Sequence, residues 1–236
     1  MSPDPKEAVA TANRVLFMEG QVGPSGHVSV RDPDREDVVH INPHTASRGE
    51  ITPAHVLEID LENEPLNPDE PAPVSEAEIH TAIYRNRDDI GAVLHLHPQY
   101  STLFGISGTD LMPVHIRGSP LDGPVPVLDR PDKLADRSDS DPMLEAMGEQ
   151  KQVLIRGHGS VVCDVDIEHA LARAMYIEHN ARFQYMASVL GNPNPLTPEE
   201  VARIRDQNWK ESSIVKRWHF YTWKARQQGY LPESWD

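Results

Sequence analysis

The 236-residue sequence is poor in cysteine and in basic residues, and it contains no long apolar run. Its one cysteine, Cys163, excludes an intrachain disulfide and is typical of a reducing compartment. No stretch of about 18 apolar residues is present, so no transmembrane helix is expected. The first residues lack the apolar core of a secretory signal, and we therefore expect a cytoplasmic protein.

Positive charge is also scarce, because 22 Lys and Arg residues stand against 37 Asp and Glu residues, for a formal net charge of −15. Nucleic acids and anionic membranes both require a basic contact surface, so neither is expected as a partner. A small anionic substrate would need a local attractor such as a metal ion or an arginine. No glycine-rich phosphate loop occurs, which argues against a nucleotide-binding role.

The order of the secondary-structure signals predicts one α/β domain. Helix signals fall at residues 5–19, 75–87, 98–104, 142–150 and 167–190, and strand signals at 27–31, 38–42, 56–61, 92–97, 112–116, 124–128, 152–156 and 160–163. This order favours a largely antiparallel sheet flanked by helices over a doubly wound parallel sheet. We place the domain at residues 1–195 and a helical tail at 196–236, which packs on the domain or on a neighbouring subunit.

Capping signals set several of the predicted helix starts. Ser75 to Glu78 reads Ser-Glu-Ala-Glu, which is the pattern of a capping box. Thr197 to Glu200 repeats this pattern at the start of the tail. Asp141 and Asp166 are predicted caps of the helices that follow them.

Two histidines, His95 and His97, lie two residues apart in the apolar strand signal Ala-Val-Leu-His-Leu-His. Side chains at i and i+2 of a strand share one face, so both imidazoles could reach one metal ion. Surface or hydrogen-bonded core histidines are the alternative for such a pair.

Two further residues strengthen the metal interpretation. His158 lies between Gly157 and Gly159, where a strand signal is interrupted. Glu76 lies at the start of the helix that precedes the histidine strand. The alternative for His158 is an ordinary turn histidine, and the alternative for Glu76 is a carboxylate that complements the helix dipole. Three histidines and a carboxylate form a catalytic type of site, which predicts one divalent ion per subunit, either Zn²⁺ or Mn²⁺.

Other polar residues lie in loops or at element ends, where binding sites are usually built. The candidate substrate-binding residues are His27, Ser29, His44, Arg48 and Ser75. Taken singly, each of them is better explained by a structural role than by a functional one.

In this combination the chain resembles the class II aldolase/adducin family. The matching stretches occur in family order over residues 8–191: Gly-His-Val-Ser-Val-Arg at 26–31, Ser-Glu-x-x-x-His at 75–80, the histidine strand at 92–97, and Gly-His-Gly at 157–159 followed by a capped helix. The resemblance implies an α/β/α sandwich around the antiparallel sheet. It implies a metal held by His95, His97 and His158, with Glu76 as acid/base or fourth ligand. It also implies a C4-type homotetramer with interfacial active sites that tail residues of a neighbour reach, and Tyr221 is the candidate catalytic tail residue.

The positions that hold phosphate in the sugar-phosphate members differ here, and they read Gly-His-Val-Ser at 26–29, Pro-His-Thr-Ala-Ser-Arg at 43–48 and Val-Ser-Glu at 74–76. His27, His44 and Arg48 suit a planar carboxylate, because arginine can bind one through two parallel hydrogen bonds. This variant is similar to the branch that decarboxylates hydroxylated aromatic or pyridine carboxylates.

We therefore expect a metal-dependent, non-oxidative decarboxylase of an ortho-hydroxylated aromatic or heteroaromatic carboxylate, such as a dihydroxyphthalate, in aromatic catabolism. Glu76 would move the proton and Tyr221 would close the site. One alternative is an aldolase or epimerase that acts on a hydroxy-aldehyde or sugar phosphate through a metal-stabilised enediolate. The other is a non-catalytic scaffold of the adducin kind.

Overall fold

The computed structural model describes residues 4–235, which form one sheet of seven strands in the order β3-β2-β1-β4-β7-β6-β5. The strands are β1 His27–Arg31, β2 Val38–Ile41, β3 Leu57–Asp60, β4 Ala92–Leu96, β5 Val127–Leu128, β6 Gln152–Ile155 and β7 Gly159–Asp164. The helices are α1 Pro5–Met18, α2 Ala77–Asn86, α3 Gln99–Ser107, α4 Arg137–Met147, α5 Ile167–Leu190, α6 Pro198–Asn208 and α7 Glu211–Gln227. Within residues 4–235, no helix is long and apolar enough to cross a membrane.

The sheet is largely antiparallel, as predicted, because only β5 and β6 pair in parallel. Its two faces carry separate cores. One core joins α1, α3, α5 and α7 to the sheet, and the other joins α2 and α4 to it. This arrangement confirms the α/β/α sandwich.

Strand alternation decides which core each side chain of β4 enters. Leu94 and Leu96 pack in the core of α1 and α5, whereas Val93 packs in the core of α2. Because side chains at i and i+2 share a face, His95 points to the α2 side together with Val93. The sequence period therefore directs this histidine towards the helix that follows Glu76.

The capping box predicted at Ser75 is wrong. Glu76 occupies the N-cap of α2, and no side chain caps this helix end. The Glu78 carboxylate does not fold back to the helix start, because it accepts hydrogen bonds from Asn63 and Ser140 and pairs with Arg85. Tertiary partners thus override the local capping signal, and Glu76 is left free to face the sheet.

Two predicted helices have different ends in the structure. The helix α3 continues through Gly105 to Ser107 and stops at Gly108, whose φ of 68° suits glycine. The helix α4 starts at Arg137 with Asp136 as its cap, not at Pro142 with Asp141, so that Pro142 lies inside the helix. Asp136 is the N-cap because its side chain accepts a hydrogen bond from the Asp139 amide.

The strand predicted at residues 112–116 is absent from the described chain, where a 3-10 turn starts at Ile116. Side chains of α5 satisfy its backbone groups in place of a neighbouring strand. Asn180 accepts from the amides of Val114 and His115, and Gln184 accepts from the amide of Met112. Periodicity alone cannot reveal this substitution of side chains for a strand partner.

The tail helices pack on the remainder of the same chain. A capping box at Thr197 opens α6, as predicted. Tyr221 and Ala225 of α7 enter the core that α1 and α5 form, and the Lys224 side chain donates to the Glu19 carboxylate at 2.6 Å. The boundary that we placed at residue 195 stays a prediction.

Candidate active site

Register places His27 and His95 side by side on the α2 face of the sheet. β1 and β4 pair so that His27 is opposite His95, and their ring centroids lie 4.8 Å apart. His97 follows β4 directly, and its amide donates to the Gln21 carbonyl at 2.9 Å. The start of β1 and the end of β4 therefore bring three imidazoles together, with the His95 ring next to both His27 and His97.

The turn between β6 and β7 adds His158. Gly157 has a φ of 67°, which an L side chain rarely adopts, and this allows the tight turn. A Cβ at Gly159 would lie 2.1 Å from the Leu96 carbonyl oxygen, so only glycine lets β7 approach β4 at this point. The two glycines thus bring His158 to within 5.3 Å of His97, measured between ring centroids.

His95, His97 and His158 together with Glu76 form what we call the His/Glu cluster. The Nε2 atoms of His95 and His97 lie 3.1 Å apart, and ligand atoms of the three histidines all lie within 4.8 Å of one another. Two nitrogens that share a zinc ion at bond lengths of about 2.0–2.1 Å have a separation of about 3 Å. The cluster therefore has the spacing of a metal-ligand set.

Glu76 lies beside His95 and His158 in this group. Its Oε1 accepts from the Leu134 amide at 3.1 Å, while its Oε2 lies 3.8 Å from His158 Nε2 and 4.0 Å from His95 Nε2. Burial alone would raise the pKa of Glu76, but the contacts with His27 and the Leu134 amide outweigh it, so the pKa lies below its ordinary value. Glu76 is therefore ionised at neutral pH.

Burial favours the neutral form of His95 and His97. It lowers the pKa of His97 to about 4, with help from the nearby His158, and it holds the pKa of His95 well below the usual range. Neutral imidazoles have the free lone pair that a metal ligand needs. Imidazole nitrogens and an ionised carboxylate fit a divalent ion, and the partly exposed His97 and His158 mark the open side of the site.

Arg48 brings a buried positive charge to the edge of the site. Its side chain is only 3% exposed, and its guanidinium donates to the carbonyl oxygens of Gly26 at 2.6 Å, Pro43 at 3.3 Å and Ala46. Within residues 4–235 no carboxylate lies within ion-pair distance of it, and burial lowers its pKa. The Gly26 carbonyl belongs to the residue directly before His27, so the guanidinium lies beside the His27 backbone. Burial, and to a smaller extent the Arg48 charge, lowers the pKa of His27.

The other predicted site residues make no contact with the metal-ligand candidates among the hydrogen bonds and ion pairs of residues 4–235. The Ser29 hydroxyl is fully buried between His80 and Tyr84. His44 and Ser75 are exposed. Tyr221 is 8% exposed and lies in the core on the opposite face of the sheet from α2, so its own chain does not bring it to Glu76.

The sequence interpretation assigned no role to several groups at the site. His80 and Tyr84 contact the site residues from α2, and the sequence marked His80 only as the last residue of a family motif. The Leu134 amide and the Asp132 carbonyl, which lies 3.3 Å from His158 Nδ1, are backbone groups. No side-chain pattern could have revealed them.

Comparison with known proteins agrees with the family resemblance that the sequence motifs indicate. The model of the class II aldolase and adducin N-terminal domain matches residues 7–185. A 3,4-dihydroxyphthalate decarboxylase from Arthrobacter keyseri is 29% identical over 214 residues, which cover 85% of this chain and 86% of the relative. An L-fuculose phosphate aldolase from Escherichia coli K12 is 27% identical over 186 residues, covering 78% and 84%.

A solved structure of an aldolase II superfamily protein from Pseudomonas syringae superposes with a TM-score of 0.84 at 21% identity, over 98% of this chain and 96% of that one. This likeness concerns the fold. The related proteins include both decarboxylases and aldolases, which are lyases. Since the domain match spans most of the chain, the protein belongs to the class II aldolase and adducin family.

Proposed function

We propose that the protein is a metal-dependent lyase that releases CO₂ from an ortho-hydroxylated aromatic or heteroaromatic carboxylate. The observation that carries this proposal is the buried Arg48 guanidinium, which has no carboxylate partner among residues 4–235 and donates to the carbonyl of Gly26, the residue before His27. A buried charge without a partner is costly, and an anionic substrate would supply the missing negative charge. A planar carboxylate suits the guanidinium geometry.

His95, His97 and His158 would hold one divalent ion per subunit, either Zn²⁺ or Mn²⁺, with Glu76 as a further ligand or as the acid/base. When bound, such an ion acts as a Lewis acid that stabilises negative charge on substrate oxygens. The spacing of their ligand atoms supports this assignment.

Glu76 is placed to move the proton. It starts ionised, so it can accept the proton of the ortho-hydroxyl and return it to the ring carbon that bears the carboxylate. The bond between this carbon and the carboxylate then breaks, its electron pair restores the aromatic ring, and CO₂ leaves. Arg48 and His27 orient the carboxylate through these steps, and the net reaction consumes one proton.

The related proteins support this proposal and one competing function. The decarboxylase named above acts on a dihydroxyphthalate by its name, whereas the aldolase acts on a sugar phosphate. An aldolase would use the same ligand set to stabilise an enediolate. A non-catalytic scaffold agrees less well with the structure, since it has no need for the His/Glu cluster.

A substrate panel with CO₂ detection tests the proposal. Metal-loaded protein is incubated with dihydroxyphthalates, hydroxypyridine-dicarboxylates, L-fuculose 1-phosphate and dihydroxyacetone phosphate. We expect CO₂ release from a hydroxylated carboxylate, its loss in Glu76→Gln, and full activity in His219→Ala, where an exposed histidine of α7 is removed. Turnover of the phosphorylated sugars alone would instead establish the aldolase.

We further propose a homotetramer with active sites at the subunit interfaces. The support is an apolar surface on the last turns of α5, where the exposed side chains are Phe183, Tyr185, Met186, Val189 and Leu190, the last 91% exposed. Exposed apolar patches often mark protein–protein contacts. A catalytic role for Tyr221 would need the site of a second subunit, and it stays a prediction. Light scattering at micromolar concentration should give four times the monomer mass, and a monomer would refute this assembly.

A further inference from the structure

A chain of three short hydrogen bonds leads away from the candidate site into the protein. His27 Nδ1 lies 2.8 Å from His80 Nε2, His80 Nδ1 lies 2.6 Å from Ser29 Oγ, and Ser29 Oγ lies 2.8 Å from the Tyr84 hydroxyl. Ser29, His80 and Tyr84 are at most 1% exposed. The chain therefore ends in the core and does not lead to solvent.

Assigning each proton to its donor fixes the direction of every hydrogen bond in this chain. Among the side chains of residues 4–235, only Ser29 hydrogen-bonds to the Tyr84 hydroxyl, and the nearby Val93 backbone, which lowers the pKa of Tyr84, acts as a donor. Tyr84 must therefore donate to Ser29 or leave a buried proton unpaired. Ser29 then receives from Tyr84, and its own proton has only His80 Nδ1 as an acceptor. An unpaired buried donor loses its hydration without a replacement partner, which strongly favours this arrangement.

The same assignment of donors and acceptors extends to His80 and His27. Because His80 Nδ1 accepts, the single ring proton of His80 is on Nε2 and is donated to His27 Nδ1. His27 Nδ1 is thus an acceptor, and the proton of His27 is on Nε2. Burial lowers the pKa of both imidazoles, in agreement with two neutral rings.

We propose that Tyr84, Ser29 and His80 are positioning residues that fix His27 as an Nε2–H donor facing Glu76. His27 Nε2 lies 3.9 Å from Glu76 Oε2, which exceeds hydrogen-bond length. His27 consequently donates a hydrogen bond to an anionic oxygen of the substrate. It does not ligate the metal, although its nitrogen lies within 4.8 Å of ligand atoms of Glu76 and His95.

The tautomer can be read directly by nuclear magnetic resonance. The Zn²⁺-loaded protein is labelled with ¹⁵N-histidine, and the His27 and His80 signals are assigned by their loss in His27→Asn and His80→Gln. We expect both rings to carry their proton on Nε2. A proton on His27 Nδ1, a doubly protonated ring, or a metal-bound His27 Nε2 would overturn the inference.

A matched pair of variants at His80 tests the consequence for substrate, and this step rests on the proposed function. The Gln side chain in His80→Gln can still donate to His27 Nδ1, whereas ionised Glu in His80→Glu can only accept and so forces the opposite tautomer. We expect KM for the carboxylate to rise less than about fivefold in the first variant and on the order of 10- to 100-fold in the second. Equal effects would contradict a positioning role. If His80→Glu does not fold, the spectrum of the wild type still decides.

The two proposals fail in different ways. Absence of carboxylate turnover with the expected tautomer would refute the decarboxylase function alone. Turnover of a carboxylate by a protein that carries the proton on His27 Nδ1 would refute the hydrogen-bonded chain alone.

Discussion

Replacement of Arg48 by methionine should separate anion binding from structural support. Methionine has a similar length and no charge, so Arg48→Met removes the guanidinium and its contacts with the Gly26, Pro43 and Ala46 carbonyls. Hydrogen bonds to a charged group contribute roughly 1.5–3 kcal/mol each. Their loss is offset by the desolvation penalty of several kcal/mol that a buried ion carries.

These opposing terms predict a small change in stability and a large change in binding. We expect the free energy of unfolding of Arg48→Met to change by no more than about 2 kcal/mol. Loss of one partner of a buried charge pair costs about 2–5 kcal/mol, so KM for a carboxylate substrate should rise by roughly 30- to 5,000-fold. Arg48→Lys keeps the charge without the planar fork, and it should give an intermediate KM.

The assay compares initial rates of CO₂ release with urea unfolding of the same preparations. The control is Arg137→Met, which removes an exposed arginine that pairs with the exposed Glu62 and should change neither quantity. A KM within twofold of the wild type, together with a loss of several kcal/mol of stability, would show that Arg48 only ties the loop at residues 43–48 to Gly26.

Three further predictions concern metal binding, the stability of the fold at low pH and the reactivity of the Cys163 thiol. His95→Ala should lose stoichiometric Zn²⁺ or Mn²⁺ in elemental analysis, because it removes the fully buried ligand of the cluster; retention of a full equivalent would contradict the metal assignment. Arg173 and Lys151 outweigh the effect of burial and lower the pKa of Asp164, so this carboxylate stabilises the fold above its unfolded-state pKa, and this contribution is lost as pH falls through the folded-state pKa. The stability difference between wild type and Asp164→Asn, measured by urea unfolding, should therefore shrink below about pH 4, and a constant difference would refute the linkage. Burial raises the pKa of Cys163 to about 12, so a thiol reagent at pH 8 should label the native protein far more slowly than the urea-unfolded chain, whereas equal rates would show that the thiol is accessible.

Local pattern was sufficient for most of the framework. Period-two alternation predicted β1 and β3, a short apolar run predicted β4, and the Asp166 cap with its long apolar periodicity predicted α5 from Ile167 to Leu190. These signals are reliable because each depends on neighbours within a few residues. Where a distant partner competes, they fail: Glu78 pairs with Arg85 rather than completing a capping box, and Asn180 replaces a strand partner for the segment at 112–116.

The candidate site also combines features that local sequence determines with features that depend on distant partners. The sequence by itself determined that His95 and His97 share one face, that Gly157 and Gly159 expose His158, and which family motifs are present. Only the tertiary structure decided that Arg48 is buried without a carboxylate partner in the described part of the chain, that Ser29 lies behind His27, and that Tyr221 lies across the sheet from Glu76. The spacing of ligands along one strand is a local property of the backbone. The charge balance around a substrate and the direction of a buried hydrogen-bond chain depend on segments that only folding brings together.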